Sequence, residues 1–259
     1  MILVQKQNLL KIISYLFTRL AGAGFTLFLF FTYLFLASGF DMYKFVESIS
    51  SRYIWVIIFG YGVICSMMID FLQWKIPRIN NRIKVLLYIA AGYAFFLIMG
   101  INVFAFIAGT IGALCSLLFY FGTYLSDHSK GTKFAFAILV PLFFIILLNV
   151  DFTEKVKWNE VRDDSSYTAS FEYFNGKHEI PIKVQAGQTA IISIEFINQN
   201  GGGHGYHVLN EKDKLVGMTE VQEGTMKVTA EDTGVYRVVV KGDDIRGSFT
   251  VEWKMCETN

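Results

Sequence analysis

Residues 85–125 run for forty-one positions without a charged side chain, and no single membrane-crossing helix accommodates them. As one straight helix they would extend roughly 60 Å, about twice the hydrocarbon core of a bilayer. The run must fold back on itself. Gly100, Ile101 and Asn102 are its weakest helical point, because glycine costs backbone entropy and asparagine competes for backbone hydrogen bonds. A tight hairpin is expected there, leaving spans at 85–100 and 103–125.

Three further stretches have the composition of spans. Residues 21–40 are twenty uncharged positions, too long for the apolar core of a cleaved signal peptide. Residues 53–72 carry Tyr53 and Trp55 at one end and Trp74 just past the other, where amphipathic rings favour the headgroup region. Residues 134–150 are at the short limit, and Pro141 inside them demands a kink or a neighbouring helix to satisfy the carbonyl it frees. The expected fold class is therefore a membrane α-helical bundle of five transmembrane helices over 21–150, joined to an all-β sandwich. Ahead of it, Leu9, Leu10, Ile12, Ile13, Leu16, Phe17 and Leu20 recur at helical spacing around Lys11 and Arg19. Segment 1–20 reads as an amphipathic helix in the cytoplasmic interface or as an extension of the first span.

Charge divides the chain at Asp151. Residues 1–150 hold four acids against eleven Lys or Arg, and residues 151–259 hold eighteen against twelve. A bilayer-embedded part joined to a water-exposed domain has this asymmetry. Lys75, Arg78, Arg82 and Lys84 occupy loop 73–84, Lys130 and Lys133 occupy loop 126–133, and Lys6, Lys11 and Arg19 precede the first span. The positive-inside rule makes all three segments cytoplasmic. Five crossings put them on one side and everything after Asp151 on the other, so the expected location is a cell membrane, multi-pass, with an extracytoplasmic C-terminal domain.

Asp70 is the one acid inside an apolar run, a position that marks ion or proton pathways. Its nearness to Lys75 and Arg78 supplies the plainer reading, an interfacial carboxylate paired with one of them. Ala105, Gly109 and Ala113 repeat every four residues, as do Ala108, Gly112 and Ser116, giving small faces for helix packing or self-association. A pore lining is the alternative, with Asn102, Thr110, Ser116 and Thr123 as sparse polar groups.

After a linker at 151–166, the pattern changes to period two. Ala190, Ile192, Ile194 and Phe196 alternate with polar neighbours, as do Tyr236, Val238 and Val240. Turn residues recur at Asn175 and Gly176, at 201–203, at 223–224 and at 241–243, which fits seven or eight short strands of a β-sandwich over 167–259. Asp232, Thr233, Gly234, Val235 and Tyr236 resemble the tyrosine corner of immunoglobulin-like sandwiches, in which the Tyr236 hydroxyl would bond back to upstream backbone. Val238 stands where an antibody domain has cysteine. Together with 186–189 and the terminal strand 247–253, the segment 233–240 resembles bacterial pre-peptidase C-terminal-like and GOLD-like sandwiches. That resemblance implies a non-catalytic accessory or interaction module and carries no aligned active site.

Gly201, Gly202, Gly203, His204, Gly205, Tyr206 and His207 form the most unusual string. Glycine-rich loops cradle phosphate when they lead from a strand into a helix, but strands are expected on both sides here. His204 and His207, with distant His178, are metal-ligand candidates lacking a third fixed ligand. The plain alternative is a mobile glycine-rich loop with solvated histidines, and in either case it is the preferred place for ligand contact. Cys65 and Cys115 lie in apolar spans and Cys256 stands alone in the tail, so the external domain has no internal disulfide. This fits a bacterial envelope, where Cys256 remains available to cross-link a partner. HExxH, GxSxG, CxxC and Walker patterns are absent, so no catalytic residue, cofactor or nucleic-acid partner is expected. The leading expectation is a non-catalytic membrane protein whose β-domain binds a membrane or envelope partner in an accessory, sensory or assembly role. A transporter or channel subunit and an envelope enzyme are the alternatives.

Overall fold

The computed structural model describes residues 2–98 and 100–256. Residues 1, 99 and 257–259, which the expected boundaries include, lie outside the described residues. The chain separates into two units, Met1–Asp151 and Phe152–Asn259.

Among the described residues, six helices build the first unit. Helix α1, Ile2–Ala37, is continuous over 36 residues, so residues 2–20 run without a break into the first apolar run. Asp41 caps the short α2, Met42–Ile49, by accepting from Lys44 N–H. Helices α3 (Arg52–Lys75), α4 (Asn81–Ile98), α5 (Val103–His128) and α6 (Lys130–Leu147) follow. With α1, these make five helices long and apolar enough to cross a membrane. The hairpin forms where expected: Gly100 takes φ +140°, a conformation glycine adopts without a Cβ clash. Asn102 then caps α5, its side chain accepting from Ala105 N–H at 2.8 Å.

Small residues set the helix spacing. A Cβ on Gly92 of α4 would lie 2.5 Å from the Gly112 carbonyl oxygen of α5, so only glycine permits that approach. Ala105, Gly109 and Ala113 are buried, and Tyr93 of α4 covers Gly109. Gly109 and Gly112 are thus taken up by packing against α4 within the chain. Phe31 anchors the other side, its ring 4.8 Å from Phe144 and 5.6 Å from Trp55. Pro141 follows a π-helical stretch, Ala135–Leu139, so the proline stands where the α-helical ladder is already interrupted. A second π stretch, Val56–Gly62, interrupts α3.

The second unit is one antiparallel eight-stranded sheet. Strands β1 (Glu154–Val156) and β2 (Asn159–Arg162) pair with β3 (Ser166–Val184). They fall inside 151–166, so half of the expected linker is sheet. Next come β4 (Thr189–Asn198), β5 (Gly203–Leu209), β6 (Thr219–Gln222), β7 (Thr225–Thr229) and β8 (Gly234–Cys256). Strands β3 and β8 span 19 and 23 residues and pair with each other along both halves. Gly176 of β3 lies opposite Gly242 of β8, beside register shifts at Phe171, Phe174 and Gly176. These positions, expected to be turns between short strands, are bulges that bend two long strands. All eight strands of the expected β domain thus belong to one hydrogen-bonded antiparallel sheet. Its halves share one core that includes Tyr167, Phe174, Ile180, Ile192, Val208, Val238 and Phe249. Tyr236 is buried and its hydroxyl accepts from Glu231 N–H at 3.2 Å and Asp232 N–H at 3.5 Å, the backward bond that the tyrosine-corner resemblance implies.

Candidate functional site

Three polar constellations stand out: Asp70 belongs to the first, His178 to the second and the glycine-rich string to the third. The first surrounds Asp70 in the helical unit. Arg19 Nη2 lies 2.6 Å from one carboxylate oxygen, Tyr15 Oη donates to the same oxygen at 2.7 Å, and Lys84 Nζ reaches the other at 2.9 Å. The expected partners Lys75 and Arg78 are replaced by cations from α1 and α4. Lys75, five residues on, points about 140° around the helix from Asp70, whereas α4 brings Lys84 back alongside. Side-chain exposures of 10% for Arg19, 18% for Asp70 and 15% for Lys84 place the cluster in a low-dielectric setting. Two cations share the single carboxylate, and this shared ion pair ties α1, α3 and α4 together. Lys84 Nζ also donates to Gln73 Oε1 at 3.0 Å, and Arg19 lies over the Tyr15 ring. Beside it, a cavity of about 280 Å³ is lined by Phe30, Ile57, Tyr61, Cys65, Phe95 and Cys115, among others, none of them charged.

The second constellation joins β1, β2 and β3. Glu160 accepts from Trp158 Nε1 at 2.7 Å and from the Tyr167 hydroxyl, and lies 4.0 Å from His178 Nε2. Lys155 Nζ sits 2.8 Å from His178 Nδ1 and 4.4 Å from the centre of the Trp158 ring. Burial, reinforced by Lys155, holds the His178 imidazole down to about 4, and the bonds from Tyr167 and Trp158 hold the Glu160 carboxyl below its ordinary value. Burial and the bond to Glu160 raise the Tyr167 phenol. A neutral imidazole between a donating lysine and a carboxylate clamps β1 and β2 to β3. Lys155 and Glu160 carry no periodic signal because strands of 3 and 4 residues are too short to display one, and Trp158 lies between the two strands.

The third contains the glycine-rich string. Gly203–Leu209 is a strand rather than a mobile loop, and the turn before it is held by asparagines. Asn198 Oδ1 accepts from Gly201 N–H at 2.9 Å, Asn198 Nδ2 donates to Gly202 O at 2.7 Å, and Asn200 Oδ1 accepts from Arg246 N–H at 2.9 Å. A separation of three along a strand sends His204 and His207 to opposite faces, so they do not converge on a metal with His178. Among the described residues no group of three or more His, Cys, Asp or Glu side chains has metal-binding geometry. His204 instead packs on Phe196 with ring centres 4.1 Å apart.

That packing frames an open cleft of about 610 Å³ lined by Ser193, Glu195, Phe196, His204, Tyr206 and Glu223, with Ile194, Gly205 and Gly224. Strands β4 and β5 follow one another along the same side of β8. Val216 N–H donates to Val208 O at 2.9 Å, so the backbone groups of Val208 point away from β8, and by strand parity those of Tyr206 and His204 do too. On β4, Ile194 N–H donates to Gly224 O at 2.8 Å, which gives Phe196 the same outward aim just beyond the end of β7. No described strand pairs with this edge between Phe196 and Tyr206. Burial, then the charge of Glu220, raises the Tyr206 phenol.

Neither protein-family models nor curated proteins match this chain. Among solved structures, the chain is similar to the crystal structure of Aeromonas hydrophila PliG, a periplasmic lysozyme inhibitor of g-type lysozyme. The alignment has 15% identity and a TM-score of 0.24, covering 38% of this chain and 86% of that one.

Proposed function

We propose that this is a multi-pass bacterial cell-membrane protein that presents its β unit outside the cytoplasm as a non-catalytic binding module. The observation that carries the reading is the outward apolar surface of the five long helices. Ile98, Ile101, Val103 and Phe104 around the α4–α5 hairpin are 72–83% exposed, a patch that water penalises and lipid does not. Such helices satisfy most of their backbone groups internally, as a bilayer requires. The direction rests on loop charge. With Arg19 and Lys84 engaged by Asp70, Lys11, Lys75, Arg78, Arg82, Lys130 and Lys133 still favour one side. An odd number of crossings then carries the acidic β unit to the other. The β4–β5 edge is the binding surface in this reading, because free backbone donors and acceptors beside a cleft are a ready template for pairing.

Reporter fusions after residues 125 and 150 test the arrangement. The first should be active only as a cytoplasmic reporter and the second only as an extracytoplasmic one. A cytoplasmic signal after residue 150 would overturn it.

A further inference from the structure

We propose that the edge shared by β4 and β5 takes up an extended, lysine- or arginine-bearing polypeptide strand of another protein, adding it to the sheet. This rests on the binding role proposed above and narrows it to a partner chemistry. Backbone groups of Phe196, His204 and Tyr206 face the cleft in strand geometry, and among the described residues no strand pairs with them there, so an incoming extended chain completes the ladder where a helix or a compact ligand would not. Charge selects the kind of strand. Glu195 and Glu223 line the cleft, Glu220 acts on Tyr206 from its border, and no Lys or Arg is among the lining residues. Basic side chains alternating along the added strand meet those carboxylates, while the Phe196 and His204 rings offer a shelf for their aliphatic stems. The same carboxylates oppose a second copy of this chain, since pairing two such edges juxtaposes like charges.

The test uses the whole protein in lipid nanodiscs and labelled eight-residue peptides, followed by fluorescence anisotropy and backbone amide exchange. The probes are a peptide alternating Lys with Val, its Glu–Val counterpart, and two Lys–Val forms N-methylated on alternate residues, one for each edge of the peptide. The Lys–Val peptide should bind at least about tenfold tighter than the Glu–Val peptide, weaken as salt rises, and lose binding in one methylated form only. Exchange should slow at Phe196, His204 and Tyr206. The double variant E195Q/E223Q should weaken binding about three- to tenfold, with unchanged amide protection in β8 reporting an intact sheet. Equal binding of acidic and basic peptides, indifference to N-methylation, no binding, or protection away from β4 and β5 would each overturn the proposal. So would a dimer by light scattering in which the three amides are already protected without peptide. These results are independent of the reporter fusions, so the partner chemistry and the membrane arrangement fail separately.

Discussion

The helical unit turns its large apolar side chains outward, and the β unit gathers its own onto one core. Only 6–39% of the most apolar stretch of each long helix is buried, whereas the β unit encloses Phe174, Ile180, Val238, Val240, Ile245 and Val251 completely. Ion pairs show the reverse arrangement. The helical unit buries Asp70 between two cations, while the β unit leaves Lys157 and Glu172 at 68% and 59% side-chain exposure. One chain thus follows two rules, each suited to its surroundings: apolar groups go where the medium accepts them, and an enclosed carboxylate keeps cations against it. A contact of the same name therefore differs in worth between the units, by an amount that can be measured.

The largest difference is expected at Asp70. Replacing Asp70→Ala leaves Arg19 and Lys84 enclosed without their counter-charge, and breaking a buried pair in this way costs about 3–5 kcal/mol. Thermal unfolding in detergent should show it, and a loss below about 1 kcal/mol would mean that the cluster is solvated like a surface pair. In the β unit, Tyr236→Phe removes the acceptor for two backbone N–H groups and should cost about 1–3 kcal/mol in denaturant unfolding. A neutral result would remove the corner from the account of that unit's stability.

His178 sharpens the contrast through pH. Its folded value, about 4, lies below its ordinary value of 6.5, so between those limits the unfolded chain binds a proton that the folded chain refuses. The associated stability is complete above about 6.5 and is lost as pH falls towards 4. Glu160 and Glu179, held low by their partners, act only below about 4.5. The β-unit melting temperature should therefore fall from pH 7 to pH 5, and His178→Phe should flatten that slope. The smallest effect belongs to Lys157→Ala at the exposed pair, which should change stability by less than about 1 kcal/mol. A loss rivalling that of Asp70→Ala would erase the distinction between the units.

Much of this contrast is legible in sequence because it is local. The uncharged run at 85–125 announces its own hairpin, and the turn before Tyr236 announces its corner. Partners distant in sequence are not legible: Asp70 meets Arg19 and Lys84, 51 and 14 residues away, through helix packing that no local period encodes. Gly176 and Gly242 mislead for a related reason, since a glycine bulge within a long strand and a glycine turn between short ones have the same composition. The edge at His204 was singled out for its glycines. Its unpaired backbone becomes evident only when β4, β5 and β8 are placed together.

Cysteine accessibility in right-side-out membrane vesicles tests the two-solvent account most directly. With Cys65, Cys115 and Cys256 replaced by alanine, a single cysteine at exposed Lys212 and, separately, one at exposed Lys130 would be treated with a membrane-impermeant maleimide. Labelling at position 212 in sealed vesicles, and at position 130 only after permeabilisation, is the predicted result. Labelling at 130 in sealed vesicles with protection at 212, or labelling of both, would contradict the account.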